Sequence, residues 1–140
     1  MARRGFERGP IAAEQEGAVM SMAIASQLSE EIVRYLDLAA AEAKLTAANM
    51  ANLDTPGYRA LGMDFEAEMR EAIGEVAAGR PGRPVRVRQV DGLVSRPDGN
   101  DVSMDREGLN LAEAQLRFRA GVTLLREQYQ ETMDAIKAGS

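Results

Sequence analysis

The chain contains no cysteine, no histidine and no tryptophan, and only three phenylalanines and three tyrosines among its 140 residues. Without cysteine there is no disulfide, thiol nucleophile or thiolate metal site. Without histidine, the commonest metal ligand and the commonest general base near neutral pH are missing too. Chemistry would have to run on carboxylates, hydroxyls, lysine or arginine. Glycoside hydrolysis is the model case, and it needs a walled pocket with two carboxylates about 5–10 Å apart. The shortage of large rings argues against such a pocket, because aromatics supply much of a deep core. Hydrophobic residues make up 45% of the chain, but much of that share is alanine, which buries little area. The expectation is a protein that is not an enzyme, with no catalytic residue, no metal and no cofactor.

The formal net charge of −5 argues against nucleic acid as a partner, since phosphate neutralisation needs a basic surface. No apolar run approaches the ~20 residues of a membrane-spanning helix. The opening Met1-Ala2-Arg3-Arg4-Gly5-Phe6 has a twin-arginine look, but the apolar run after Pro10 is only Ile11-Ala12-Ala13, stopped by Glu14 and Glu16. A signal peptide needs about 7–15 apolar residues there. Residues 1–20 therefore read as a disordered tail, with Met20 or Met22 as alternative starts.

Three parts follow. From about Ser21 to Leu53 the pattern is helical, with Ser26 or Ser29 as cap and Glu30 and Glu31 suited to the positive end of the dipole. Val33, Leu36, Ala40, Ala43, Ala47 and Met50 recur at spacings of three and four, a heptad-like seam. A weaker stripe holds Ile32, Tyr35, Ala39 and Leu53. Pro56 ends the helix near Asp54, and Thr55-Pro56-Gly57-Tyr58 fits a type II turn with glycine at the positive-φ position. Asn49 and Asn52, in the last turn, are placed to serve unpaired backbone groups. Residues 21–58 thus form a helix and its turn.

The middle segment, 59–100, changes character. Met63 to Val76 predicts a short acidic helix with Phe65, Met69 and Ile73 on one side. Ala77 to Pro84 reads as loop. Val85, Val87 and Val90 alternate with Arg86 and Arg88 as in a short strand, and Pro97-Asp98-Gly99-Asn100 is a turn signal. Arg83, Arg86, Arg88 and Arg96 face either solvent or an acidic stretch like Asp64, Glu66, Glu68, Glu71 and Glu75 on a neighbour. From Ser103 to about Lys137, within the segment 101–140, a second long helix is predicted, capped by Asp101 or Ser103. Leu111, Ala114, Phe118, Val122, Leu125, Tyr129, Met133 and Ile136 repeat near every 3.6 residues, with Leu109, Ala112, Leu116, Ala120 and Leu124 in a second row.

The fold class expected is mainly α. Two long terminal helices pack as an antiparallel coiled-coil pair, with residues 21–140 acting as one domain. The small irregular middle holds a short helix and room for a short β-strand or hairpin. A two-helix hairpin buries one seam only, so the second rows predict neighbours that cover them. A small bundle closed by the tail as a third helix is the alternative, and residues 1–20 lack the periodicity for it.

The run Ala47-Ala48-Asn49-Met50-Ala51-Asn52-Leu53-Asp54-Thr55-Pro56-Gly57-Tyr58-Arg59-Ala60 closely resembles the N-terminal signature of bacterial flagellar rod and hook proteins. Met63-Asp64-Phe65, Asp98-Gly99-Asn100-Asp101-Val102 and the last helix are most similar to proximal rod proteins of the FlgB type. The resemblance spans about residues 24–138. Ala48 stands where the family often has a second asparagine, and the arginines between Arg83 and Arg96 have no match in the signature. The resemblance implies export without a cleaved signal peptide through the flagellar type III apparatus, then a structural place in the periplasmic rod of the basal body. The terminal helices would form an inner coiled-coil tube that contributes to the torque-transmitting shaft. The expected partners are other copies of the chain, FlgC-type rod proteins, the FliE-type adapter at the inner-membrane ring and the export apparatus, with no nucleic acid and no small-molecule substrate. The alternative function is a cytoplasmic helical adapter or export chaperone that holds a partner's helix in an open groove.

Overall fold

The computed structural model describes residues 10–139. Three helices carry the architecture: α1 (Pro10–Ala51), α2 (Phe65–Ala77) and α3 (Met104–Ala138). Two short strands, β1 (Leu61–Gly62) and β2 (Arg88–Gln89), pair antiparallel with Leu61 opposite Gln89. α1 and α3 are rods of about 63 and 53 Å at the usual rise per residue.

The sequence predicts the first helix from Ser21, but it begins at Pro10. Residues 10–20 are therefore helical rather than part of a disordered tail, while residues 1–9 of that expected tail lie outside the described residues. The physical reason is propensity. Alanine, glutamate, glutamine and methionine dominate this stretch, and extending a helix already formed adds one hydrogen bond per residue fixed. Proline at the first helical position is tolerated because its missing N–H has no partner there in any case. Neither Ser26 nor Ser29 caps the helix: both are inside it, and the Ser29 hydroxyl donates to the carbonyl of Ala25 at 2.9 Å.

α1 and α3 run antiparallel. Glu107 meets Asn49, Arg117 meets Glu42, and Gly121 meets Tyr35 and Leu36, so the numbers fall along one rod as they rise along the other. The side of α1 turned inward carries Ile32, Tyr35, Ala39, Glu42, Thr46 and Asn49, at alternating spacings of three and four. The opposing line on α3 is Glu107, Ala114, Gly121 and Gln128, every seventh residue. This is a heptad-spaced contact made largely of small and polar side chains. A Cβ on Gly121 would stand 2.7 Å from Leu36 Cδ2 and 3.0 Å from Tyr35 Cδ1, so only glycine allows this approach.

α2 lies against α1 and is capped by Asp64, whose carboxylate accepts from the Ala67 N–H at 3.0 Å. Its buried line is Glu68, Ala72, Glu75 and Val76; Phe65 and Met69 are half-buried and Ile73 is exposed. Phe65 meets Tyr35 edge-on at 5.4 Å, and the Arg117 guanidinium covers its ring at 4.2 Å. Arg117 also grips both oxygens of Glu42 at 2.7 and 2.6 Å, tying the three helices at one point.

Arg83 and Arg86 are paired with acids of their own chain, which corrects the expectation of a solvated face or a neighbour's acids for those two; Arg88 is exposed and makes no ion pair among the described residues, and Arg96 lies 3.9 Å from Asp98. Arg83 lies 3.3 Å from Glu68, 2.8 Å from Glu71 and 3.6 Å from Glu75; Arg86 lies 2.9 Å from Glu68. These contacts strap the 78–87 loop onto α2. The valine alternation does not make a full strand. Only Arg88 and Gln89 pair, and their partners lie before α2, so the two strands form no hairpin.

Candidate functional site

Five buried polar side chains, Thr46, Asn49, Asn100, Asp101 and Glu107, gather where α1 ends and α3 begins. Asn49 is almost fully enclosed in the last turns of α1. Its amide donates to the Leu61 carbonyl at 2.8 Å and accepts from the Leu61 N–H at 2.9 Å. It thus holds the outer edge of β1 as a third strand would. The same amide donates to the buried Glu107 carboxylate at 3.0 Å, and the Tyr58 hydroxyl donates to its oxygen at 3.3 Å.

Asn100 completes the unit from the other side. Its side chain is fully enclosed and donates to the carbonyls of Asn52 at 2.9 Å, Leu53 at 3.1 Å and Thr55 at 2.8 Å. These carbonyls lie in the turn just past the end of α1. Its oxygen accepts from the Val102 N–H at 2.8 Å, bending the chain into α3. Arg96 also donates to the Leu53 carbonyl. Asp101 accepts from the Ala60 N–H and from Arg59, each at 2.6 Å. Burial pushes the Asp101 carboxyl up, but these two donors outweigh it and hold its pKa below the ordinary carboxylate value. Ser103, rather than Asp101, caps α3.

The turn between these elements has the geometry expected of it. Gly57 has φ of 73°, and the Tyr58 N–H donates to the Thr55 carbonyl at 3.2 Å. Gly99, with φ of 83°, packs against it: a Cβ there would lie 3.4 Å from the Gly57 Cα, and the Gly57 N–H donates to the Asp98 carbonyl at 2.8 Å. Two left-handed glycines back to back lock the signature turn onto the turn before α3.

Of the predicted signature residues, Asn49, Gly57 and Tyr58 belong to this lock. Asn52 donates to the Ala48 carbonyl, Thr55 donates to Asn52, and Asp54 and Pro56 are exposed. Asn100, Asp101 and Glu107 were not singled out as contacts by spacing or periodicity. For Asn100 the signal in the sequence is the turn motif at 97–100, but nothing local says which carbonyls 45 or more residues away it serves.

The predicted packing rows divide. On α1 the weaker stripe, Ile32, Tyr35 and Ala39, lies on the inward side, joined by Leu36 of the stronger row, which meets Gly121 of α3. The stronger row leaves Val33, Ala40 and Ala47 exposed and Leu36, Ala43 and Met50 half-buried. On α3 Ala114 is buried, Leu111, Val122 and Leu125 are half-buried, and Phe118, Tyr129, Met133 and Ile136 are exposed. The second row is more open still: Leu109 is 73% exposed and Leu116 69%. α1 adds Val19, Met20, Met22, Ile24 and Leu28 to the exposed apolar surface. Among the described residues no helix is long and apolar enough to cross a membrane.

No protein-family model matches the chain. It is 36% identical to a flagellar basal body rod protein FlgB of Salmonella typhimurium, over 75% of this chain and 89% of that protein. It is 30% identical to the protein of the same name from Escherichia coli, over the same shares. A third FlgB, from Cereibacter sphaeroides, is 34% identical over 66% of this chain and 80% of its own length.

Proposed function

The chain belongs to the FlgB family of flagellar basal body rod proteins, and from that membership we propose how it builds the rod: its two terminal helices pack as a coiled coil against those of its neighbours. It is a structural component of the basal-body rod. The observation that carries the packing mechanism is the pair of open apolar rows. α1 and α3 spend one face on each other, through small and polar side chains, and present leucines, methionines and aromatics outward along their length. Apolar surface of that extent on a soluble chain marks an interface.

In this reading the exposed halves of the predicted rows, Val33, Ala40 and Ala47 on α1 and Phe118, Tyr129, Met133 and Ile136 on α3, are intersubunit contacts. Residues 21–140 act as one unit. Its closed end is the polar lock, and its open faces take helices from other copies, from FlgC-type rod proteins or from a FliE-type adapter. Torque passes along the interlocked helices without chemistry. The rod lies in the periplasm, and the subunit reaches it through the export apparatus without losing a leader.

Leu116→Asp tests the packing. The side chain is exposed, so the isolated chain should keep its helix content and thermal midpoint. Rods containing it should fail to form, because a charge would be buried against a neighbouring helix without a partner. Normal rods and motility in that variant would remove the packing mechanism.

A further inference from the structure

Arg106 stands in the first turn of α3, half-buried, and its Nη1 is enclosed with no hydrogen-bond acceptor. Among the described residues its guanidinium makes no ion pair. Three things weigh against this placement in the chain alone. A cation sits at the positive end of a helix dipole. An enclosed N–H is left unpaired, which costs more than an average hydrogen bond contributes. The guanidinium also brings five donors that need acceptors.

Arg106 borders a polar cavity of about 430 Å³. Glu42 and Thr46 of α1, Arg88 and Gln89 of β2 and Asn110 of α3 are also on its wall. Arg88 is exposed there and has no ion pair either. The nearby carboxylates are committed or apart: Arg117 grips Glu42, Glu107 accepts from Asn49, and Asp91 pairs with neither arginine.

We propose that Arg106, with Arg88, receives an acidic side chain from a neighbouring subunit of the rod. The proposal rests on the assembly reading above and adds to it a polar, carboxylate-specific contact at the closed end of the hairpin. A carboxylate in the cavity would pair with the part of the Arg106 guanidinium that borders it, offset the unpartnered charge, and fix orientation where the apolar rows fix only proximity.

The full-length Arg106→Met variant separates this role from an ordinary structural one. Removing an unpaired enclosed guanidinium should leave the thermal midpoint of the isolated chain unchanged or raise it. Recovery of the variant in isolated basal bodies should fall at least about tenfold, with Arg106→Lys intermediate. A photo-crosslinking residue at Gln89, on the cavity wall, should form its adduct with an acidic segment of another rod subunit. A lowered midpoint would overturn the proposal, because it would reveal an internal partner for Arg106. So would undiminished recovery, which would mean that the cavity holds only solvent, or adducts confined to the same chain. If the wild-type chain is itself missing from basal bodies, the rod assignment fails, and that outcome is read separately.

Discussion

Replacing Asn100 by alanine leaves the buried Val102 N–H without its acceptor and takes one of two donors from each of the carbonyls of Asn52, Leu53 and Thr55. A buried polar group left without its partner costs about 1–3 kcal/mol. Asn100→Ala should therefore lower stability by about 1–3 kcal/mol in a denaturant titration, although the site holds no large apolar group. Asp101 sets an acid limit. Its folded pKa lies below its unfolded value, so its stabilisation is complete above about pH 4 and is withdrawn as pH falls through the folded value. Glu68 acts with the same sign: burial raises its pKa, and Arg86 and Arg83 more than offset that. Unfolding of the wild-type chain should steepen below about pH 4, and Asp101→Asn should flatten that limb. An unchanged acid profile would separate Asp101 from the lock. At this scale the sequence was partly legible. Thr55-Pro56-Gly57-Tyr58 names its own turn, because proline and glycine restrict φ locally. Asn100 and Glu107 do not name their partners, because a hydrogen bond across 45 to 58 residues leaves no trace in spacing.

Each helix has two faces, and periodicity alone does not say which one the chain keeps for itself. On α1 the row Val33, Leu36, Ala40, Ala43, Ala47 and Met50 has the regular spacing of a seam, yet the stripe with Ala39, Glu42, Thr46 and Asn49 faces α3. Close approach explains this. The inner line of α3 passes through Ala114 and Gly121, and helices that meet at glycine and alanine come near enough for polar side chains to pair across them. Gly121→Val should push Leu36 and Tyr35 aside and destabilise the hairpin by about 1–3 kcal/mol. Retained stability would show that the rods separate freely at that point. The existence of α1, α2 and α3 was legible from period and breakers. The start of α1 was not, because a stretch that is a good helix former without an apolar face has no period to read.

The molecule as a whole is a hairpin fastened at one end and open at the other. The lock, the strap of Arg83 and Arg86 on α2, and the Arg117 cluster all lie toward the closed end, where α1 meets the middle segment. Toward the chain ends, α1 and α3 are held by little more than Gln128 and half-buried neighbours. Local stability should follow this gradient, since opening is easiest where few buried contacts are made. Hydrogen exchange by mass spectrometry on the purified chain and on isolated basal bodies tests the central claim, that neighbours cover what the chain leaves open. Residues 49–62 and 98–110 should be protected in both samples. Residues 10–31 and 122–138 should exchange fast in the isolated chain and slow strongly in the basal body. Full protection along both helices in the isolated chain, unchanged in the basal body, would contradict that claim.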